Sequence, residues 1–230
     1  MNARNLPAIG PEDLLVEGAI VLGLHLDPGQ VQAFRLYREE IARWSARTNL
    51  TALREPAEIV REGFLDSLAC LPLVPHDATH LLDIGSGAGF PALPLKLTCT
   101  RLHLTMVEAS HKKTTFLRHI VRSLNLREVR VVTGRAEDLA ARPGEQGAYD
   151  LALARAVAPL RQQARLVAPF LRSGGLFLAQ VGPGSDPIET VVGRPGQVFE
   201  VSGEFLLPAI LNRPNRRVIG LRRIRGPQAG

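Results

Sequence analysis

The sequence predicts an α/β fold, a mainly parallel seven-stranded sheet with helices on both faces, closed by an antiparallel C-terminal pair and preceded by a helical extension. From His80 onward, apolar strand-like runs alternate with helical segments, and repeated βα units of this kind demand a parallel sheet. The first such run, His80-Leu-Leu-Asp-Ile84, passes through an acid straight into Gly85-Ser-Gly-Ala-Gly89. The last two strand-like runs have little helix between them, which is the pattern of an antiparallel pair.

The first eighty residues read as helices. Asp27-Pro28 is an N-cap followed by a first-turn proline, and Val31, Phe34, Leu36, Tyr37, Ile41 and Trp44 follow at mainly helical spacing. A second helix starts near Pro56 and carries Ile59, Val60, Phe64, Leu68 and Leu71 as its apolar stripe. Residues 47–54 form a polar, basic connection. Strands are then predicted over 80–84, 102–108, 128–133, 149–154, 174–181, 197–207 and 216–224, with helices over 91–98, 111–124, 135–141 and 159–171. Two units are expected: residues 1–75 as a helical extension and 76–230 as the sheet domain.

Composition narrows the class of protein. At 230 residues and 45% hydrophobic content the chain can bury one sizeable core. No run approaches the ~18 apolar residues of a membrane span, and no charged segment leads into an apolar one at the N-terminus. An unexported, cytoplasmic protein is expected, with no membrane partner. Cys70 and Cys99 lie far apart and outside any Cys-x-x-Cys pattern, so they read as core thiols, and no metal site is expected. The net charge is +6, and only three of the 28 basic residues are lysines: Lys96, Lys112 and Lys113. Arginine excess suits phosphate recognition, and equally suits a GC-rich genome.

The glycine segment carries the chemistry. Gly85, Gly87 and Gly89 lack the Cβ atoms that hold a ligand away from the backbone, and they permit positive φ in a sharp strand-to-helix turn. A tight turn alone explains glycines equally well, so context decides. One strand-plus-helix later, residues 102–107 end in Glu108, where a ribose-binding carboxylate belongs. Asp83, Gly85, Gly87, Gly89 and Glu108 thus form one constellation. The spacing Gly-x-Gly-x-Gly followed by Phe90-Pro91 departs from the dinucleotide pattern Gly-x-Gly-x-x-Gly and suits a cofactor without pyrophosphate, such as S-adenosylmethionine. A nicotinamide enzyme is disfavoured because neither Tyr37 nor Tyr149 has a lysine four residues on.

With that cofactor, Gly134 to Asp138 at the end of the third strand would meet the adenine, the Ala136 N–H and the Glu137 or Asp138 carboxylate reading its edge. The acidic pair Glu137-Asp138 would equally suit the first turn of a helix. The acceptor is narrowed by what the fourth strand leads into. Arg155-Ala-Val-Ala-Pro159 lacks the Asn/Asp-Pro-Pro-aromatic stretch of amino methylation, and a cysteine nucleophile is not expected because neither Cys70 nor Cys99 is expected near strand four or five. A ring nitrogen such as guanine N7 presents its own lone pair and needs no general base.

Five stretches, Asn49-Leu-Thr-Ala52, Phe64-Leu-Asp-Ser-Leu68, Leu82 to Pro91, Gly134-Arg-Ala-Glu137 and Ala154-Arg-Ala-Val-Ala158, together resemble the ribosomal RNA small subunit methyltransferase G family, also called glucose-inhibited division protein B. The resemblance implies a class I, Rossmann-like S-adenosylmethionine-dependent methyltransferase that is cytoplasmic, and a monomer is expected. It implies transfer to N7 of a guanine in 16S rRNA of the small ribosomal subunit, with S-adenosylhomocysteine as product. A divergent enzyme acting on another RNA or a small molecule is the alternative. The resemblance places Gly85, Gly87, Gly89 and Phe90 around the cofactor's methionine part, Glu108 at the ribose and Ala136 and Glu137 at the adenine, with Asp83 counted among the cofactor-binding residues. Arg155 is placed at the cofactor and acceptor mouth as the catalytic positioning group.

Three departures fall on the side expected to meet RNA. Glu62-Gly63 stands where the family has Arg-His, Val181-Gly182 where it has Lys-Gly, and the chain ends without the lysine-rich Tyr-Pro-Arg stretch. Arg43, Arg47, Arg54, Lys112, Lys113, Arg213, Arg216 and Arg217 could supply a phosphate-contacting rim in their place.

Overall fold

Prolines open the N-terminal helices α1 (Pro11–Val21), α2 (Pro28–Ser45) and α3 (Pro56–Glu58), where a missing N–H costs no intrahelical bond. The chain is described from a computed structural model over residues 9–155, 159–182, 198–206 and 216–224. At α2 the expected cap is a full capping box: the Asp27 side chain accepts from the Gln30 N–H at 2.8 Å, and the Gln30 side chain accepts from the Asp27 N–H at 3.0 Å. The helix expected from Pro56 changes character, passing from α3 into a π-helical stretch, Ile59–Leu65, and then into α4 (Asp66–Leu68). Such widened turns are frequent at functional sites.

The sheet has seven strands: β1 (His80–Ile84), β2 (His103–Glu108), β3 (Val129–Thr133), β4 (Tyr149–Arg155), β5 (Leu171–Val181), β6 (Phe199–Leu206) and β7 (Arg217–Arg223). Their order is β3-β2-β1-β4-β5-β7-β6, parallel up to β5, with β7 antiparallel to both β5 and β6. Helices α5 (Ala92–Thr98), α6 (His111–Ser123), α7 (Ala136–Ala140) and α8 (Leu160–Val167) connect the parallel strands. The strand order turns back between β1 and β4, and the crevice beyond the carboxyl ends of those strands is where such sheets bind ligands.

Each face of the sheet has its own core. One cluster joins Leu81, Leu153 and Leu178 to α5, α6 and the N-terminal helices through Phe34, Tyr37, Ile41, Phe64 and Phe116. The other joins Leu82, Ala152, Ala154 and Phe177 to Leu139, Leu160, Val167 and Phe199. Leu81 to Ile84 are all buried, as a central parallel strand covered on both faces requires. The helical extension therefore shares a continuous core with the sheet.

The fourth βα unit corrects the sequence reading. The helix expected over 159–171 ends at Val167, because Pro169 has no N–H to continue the ladder. The strand starts at Leu171 rather than Gly174. Gly174, with φ +75°, lies in an irregularity within β5, between the pairings Tyr149↔Leu171 and Leu151↔Leu176.

Candidate active site

At the carboxyl end of β1 the chain turns through Gly85 (φ +74°), Gly87 (φ +56°) and Gly89 (φ +94°), the left-handed region that glycine alone enters freely. The positions differ in what surrounds them. A Cβ on Gly89 would lie 2.4 Å from both Leu93 and the Tyr37 hydroxyl, so this glycine is required by packing. A Cβ on Gly87 would meet only the Gly85 carbonyl, at 3.8 Å. That open side is where a ligand could approach the backbone.

Asp83, at the base of this turn, is fully buried, and neither oxygen of its carboxylate has a hydrogen-bond partner among the described residues. Burial pushes its carboxyl up to about 8, with the Ser86 hydroxyl acting against the shift and Glu108 adding to it. Glu108, at the end of β2, accepts from the Gly87 N–H at 2.9 Å and from the Ser110 N–H at 2.8 Å, tying the glycine turn to the start of α6. A carboxylate offers about four lone-pair sites, so two bonds leave acceptors for ribose hydroxyls. Gly134 lies beyond β3, its N–H on the Glu108 carbonyl at 3.0 Å, and a Cβ there would meet nothing within 4 Å. Ala136 is buried at the start of α7, while Glu137 and Asp138 are exposed in its first turn.

This set fits S-adenosylmethionine. The unpartnered Asp83 carboxylate suits a cationic methionine group, the space beside Gly87 suits close backbone approach, and Glu108 suits a ribose.

Phe90 and Arg155 sit elsewhere in the site. The Phe90 ring lies in an aromatic cluster with Tyr37 (centroids 5.8 Å) and Phe64 (6.0 Å), and the Arg155 guanidinium stands 5.7 Å above it. Arg155 is not a rim residue: its side chain is 14% exposed and pairs with Asp66 at 3.3 Å. Asp66 also receives a hydrogen bond from Arg216, and its backbone carbonyl accepts from Gln180 Nε2 at 2.6 Å. Asp66 and Gln180 were missed by sequence reasoning, and Arg216 was placed on a rim. The available signal was a carboxylate inside the apolar run 63–70, because a charge there is buried only if paired. Of the other basic residues, Arg43 is bound to Glu40, Arg217 pairs with Glu204 at 2.6 Å, and Arg47 and Lys112 are exposed. Arg213 and residues 156–158 lie outside the described residues.

Cys70 is also closer to the site than its sequence position suggests, next to Gln180 of β5 and within the field of Asp66 and Arg155. Burial pushes its thiol far above the usual range, so no thiolate is available as a nucleophile. Both cysteines are free and buried. Among the described residues no cluster of three His, Cys, Asp or Glu is placed to hold a metal ion, and no helix is long and apolar enough to cross a membrane.

The comparisons with known proteins agree with this architecture. Solved structures of similar fold include a methyltransferase from Geobacter sulfurreducens, with TM-score 0.56 and 16% identity, covering 91% of this chain and 96% of that one. A variant of MtNAS in complex with S-adenosylmethionine matches with TM-score 0.56 and 13% identity, covering 94% and 88%. Among sequence relatives, the ribosomal RNA small subunit methyltransferase G of Roseiflexus castenholzii is 45% identical over 174 residues, 76% of this chain and 74% of its own. That of Deinococcus deserti is 42% identical over 205 residues, 86% and 83%. A family model described as rRNA small subunit methyltransferase G matches residues 30–187, and on this match and these identities the chain belongs to that family.

Proposed function

We propose that this protein methylates N7 of a guanine in the 16S RNA of the small ribosomal subunit, using S-adenosylmethionine. The observation that carries the cofactor reading is the buried, unpartnered Asp83 carboxylate beneath a turn of three positive-φ glycines. Membership of the family supplies the RNA substrate. Bound S-adenosylmethionine supplies an electrophilic methyl group on a sulfonium, and transfer yields S-adenosylhomocysteine and a cationic methylated guanine.

Each residue then has a defined task. Asp83 holds the cationic methionine part, Gly85, Gly87 and Gly89 admit it to the backbone, and Glu108 binds the ribose. Ala136 and Glu137 take the adenine edge, the Ala136 backbone through its N–H. Phe90 supports Arg155 from below, and Arg155 positions the acceptor. N7 carries its own lone pair, so no general base is assigned; alignment and electrostatics perform the catalysis. We place the protein in the cytoplasm as a monomer, with residues 1–75 forming the helical extension and 76–230 the methyltransferase domain.

Glu62-Gly63, standing where the family has Arg-His, favours a second reading in which the cofactor site serves a different acceptor. Deleting the gene and mapping N7-methylguanine across small-subunit RNA decides between them. Loss at one site, restored by complementation, supports the first reading; an unchanged map overturns it.

A further inference from the structure

We propose that Asp66 is a positioning residue on the acceptor side of this site, its one carboxylate clamping Arg155 and Arg216 side by side so that both can grip a phosphate of the incoming RNA strand. The inference rests on the reading of the chain as an RNA methyltransferase. It adds a residue and a cation pair to that reading.

The three side chains come from distant parts of the chain and from three elements. Asp66 opens α4 directly after the π-helical stretch, Arg155 ends β4, and Arg216 immediately precedes β7. Asp66 Oδ2 is the acceptor for both guanidinium groups. The three side chains are 2%, 14% and 17% exposed, so this is a largely desolvated cluster whose arginines are its more exposed members.

Arg216 acts on Arg155 as a like charge and Glu62 as an opposite one, while the Asp66 carboxylate is paired with both arginines. Replacing such a buried cluster with apolar residues is often neutral or stabilising, so its stability value alone does not explain it. The hydrogen bonding is also incomplete. Among the described residues Arg155 Nη1 and Asp66 Oδ1 are buried with no hydrogen-bond partner, although Nη1 lies 3.3 Å from Oδ2. The Arg155 guanidinium is held over Phe90 at 5.7 Å, and the Asp66 backbone is held by Gln180 at 2.6 Å, so neither end of the pair is free to swing. Two guanidinium groups fixed side by side, with hydrogen bonding left incomplete, are the arrangement that recognises a phosphate in two-pronged fashion.

The test uses the full chain, with small-subunit RNA from cells lacking the gene as acceptor and S-adenosylhomocysteine as the calorimetric probe of the cofactor site. Asp66→Asn keeps the shape and removes the charge. It should bind S-adenosylhomocysteine as the wild type does and lose at least tenfold in kcat/KM for RNA. Arg216→Gln should lose a similar factor, and the double variant no more than either single one, because both break one clamp. Asp66→Glu should restore part of the activity. Should Asp66→Asn not fold, Arg216→Lys reads the same geometry at a more exposed position, with the same expected loss. Wild-type kcat/KM in these variants, multiplicative losses, or loss of S-adenosylhomocysteine binding in parallel with melting temperature overturns the clamp. If the wild type itself transfers nothing to small-subunit RNA, the functional reading fails and takes this inference with it; an active wild type with an indifferent Asp66→Asn removes the clamp alone.

Discussion

The Tyr37 hydroxyl donates a hydrogen bond to the Ala88 carbonyl at 2.5 Å, joining the middle of α2 to the interior of the glycine turn across 51 positions of sequence. Tyr37 is fully buried, and its hydroxyl also occupies the space a Cβ on Gly89 would need. The helical extension is therefore part of the cofactor site's support. Tyr37→Phe keeps the ring contacts with Phe64 and Phe90 and leaves the Ala88 carbonyl buried without its donor. Stability should fall by about 1–3 kcal/mol, and affinity for S-adenosylhomocysteine should weaken several-fold. Thermal unfolding and calorimetry on one preparation measure both; unchanged affinity would detach α2 from the loop's geometry.

Gly87 and Gly89 should respond differently to substitution. Gly87→Arg meets open space, so the folded protein should persist at a cost of about 1–2 kcal/mol for the left-handed backbone while cofactor binding disappears. Gly89→Ala drives a methyl group to 2.4 Å from Leu93 and the Tyr37 hydroxyl, and overpacking of this kind costs about 1–3 kcal/mol beyond the backbone strain. Circular dichroism melts combined with calorimetry separate the two effects. A Gly87→Arg protein that still binds S-adenosylhomocysteine would end the assignment of this turn to the cofactor.

Gly63 is fixed by Phe90. A Cβ at position 63 would sit 2.6 Å from the tip of the Phe90 ring, and that ring is held by Tyr37 and Phe64. Position 63 therefore has no room for a side chain while this ring lies where it does. Gly63→Ala should destabilise by about 1–3 kcal/mol, and Phe90→Leu in the same chain should recover part of that loss. Additive losses in the double variant would show that the two positions do not compete for space.

These contacts mark the limit of what the sequence discloses. Strand order could be argued from the glycine turn and the alternation of elements, because period and punctuation are local signals. The start of β5 was misplaced because Gly174-Gly175 reads as a strand opening, whereas it is an irregularity inside a strand paired from Leu171. The constellation Asp83, Gly87 and Glu108 was legible since its spacing is that of one βαβ unit. Arg155 was legible at the end of the fourth strand, but its pairing with Asp66 and Arg216 was not, because the three meet from distant parts of the chain and Asp66 follows a π-helical stretch that no helical periodicity anticipates. Cys70 illustrates the same point: remote in sequence, it lies beside Gln180.

Asp83 gives the site a pH dependence whose sign is fixed. In the unfolded chain its carboxyl ionises near the ordinary aspartate value of 3.8, and in the folded protein burial raises this to about 8. Between those values the folded state holds one proton more than the unfolded state, so this group's contribution makes stability fall as pH rises from about 4 to about 8 and level off above. A cofactor cation set against the carboxylate favours its ionised form. Binding near pH 7 should therefore release a proton, and affinity should rise with pH up to about 8. Calorimetric titration with S-adenosylhomocysteine, which keeps the methionine ammonium, in two buffers of different ionisation enthalpy counts that proton directly. Asp83→Asn should flatten the stability profile across this window and abolish the release. Equal proton release by wild type and Asp83→Asn would place the titrating group elsewhere and remove Asp83 from the binding of the cation.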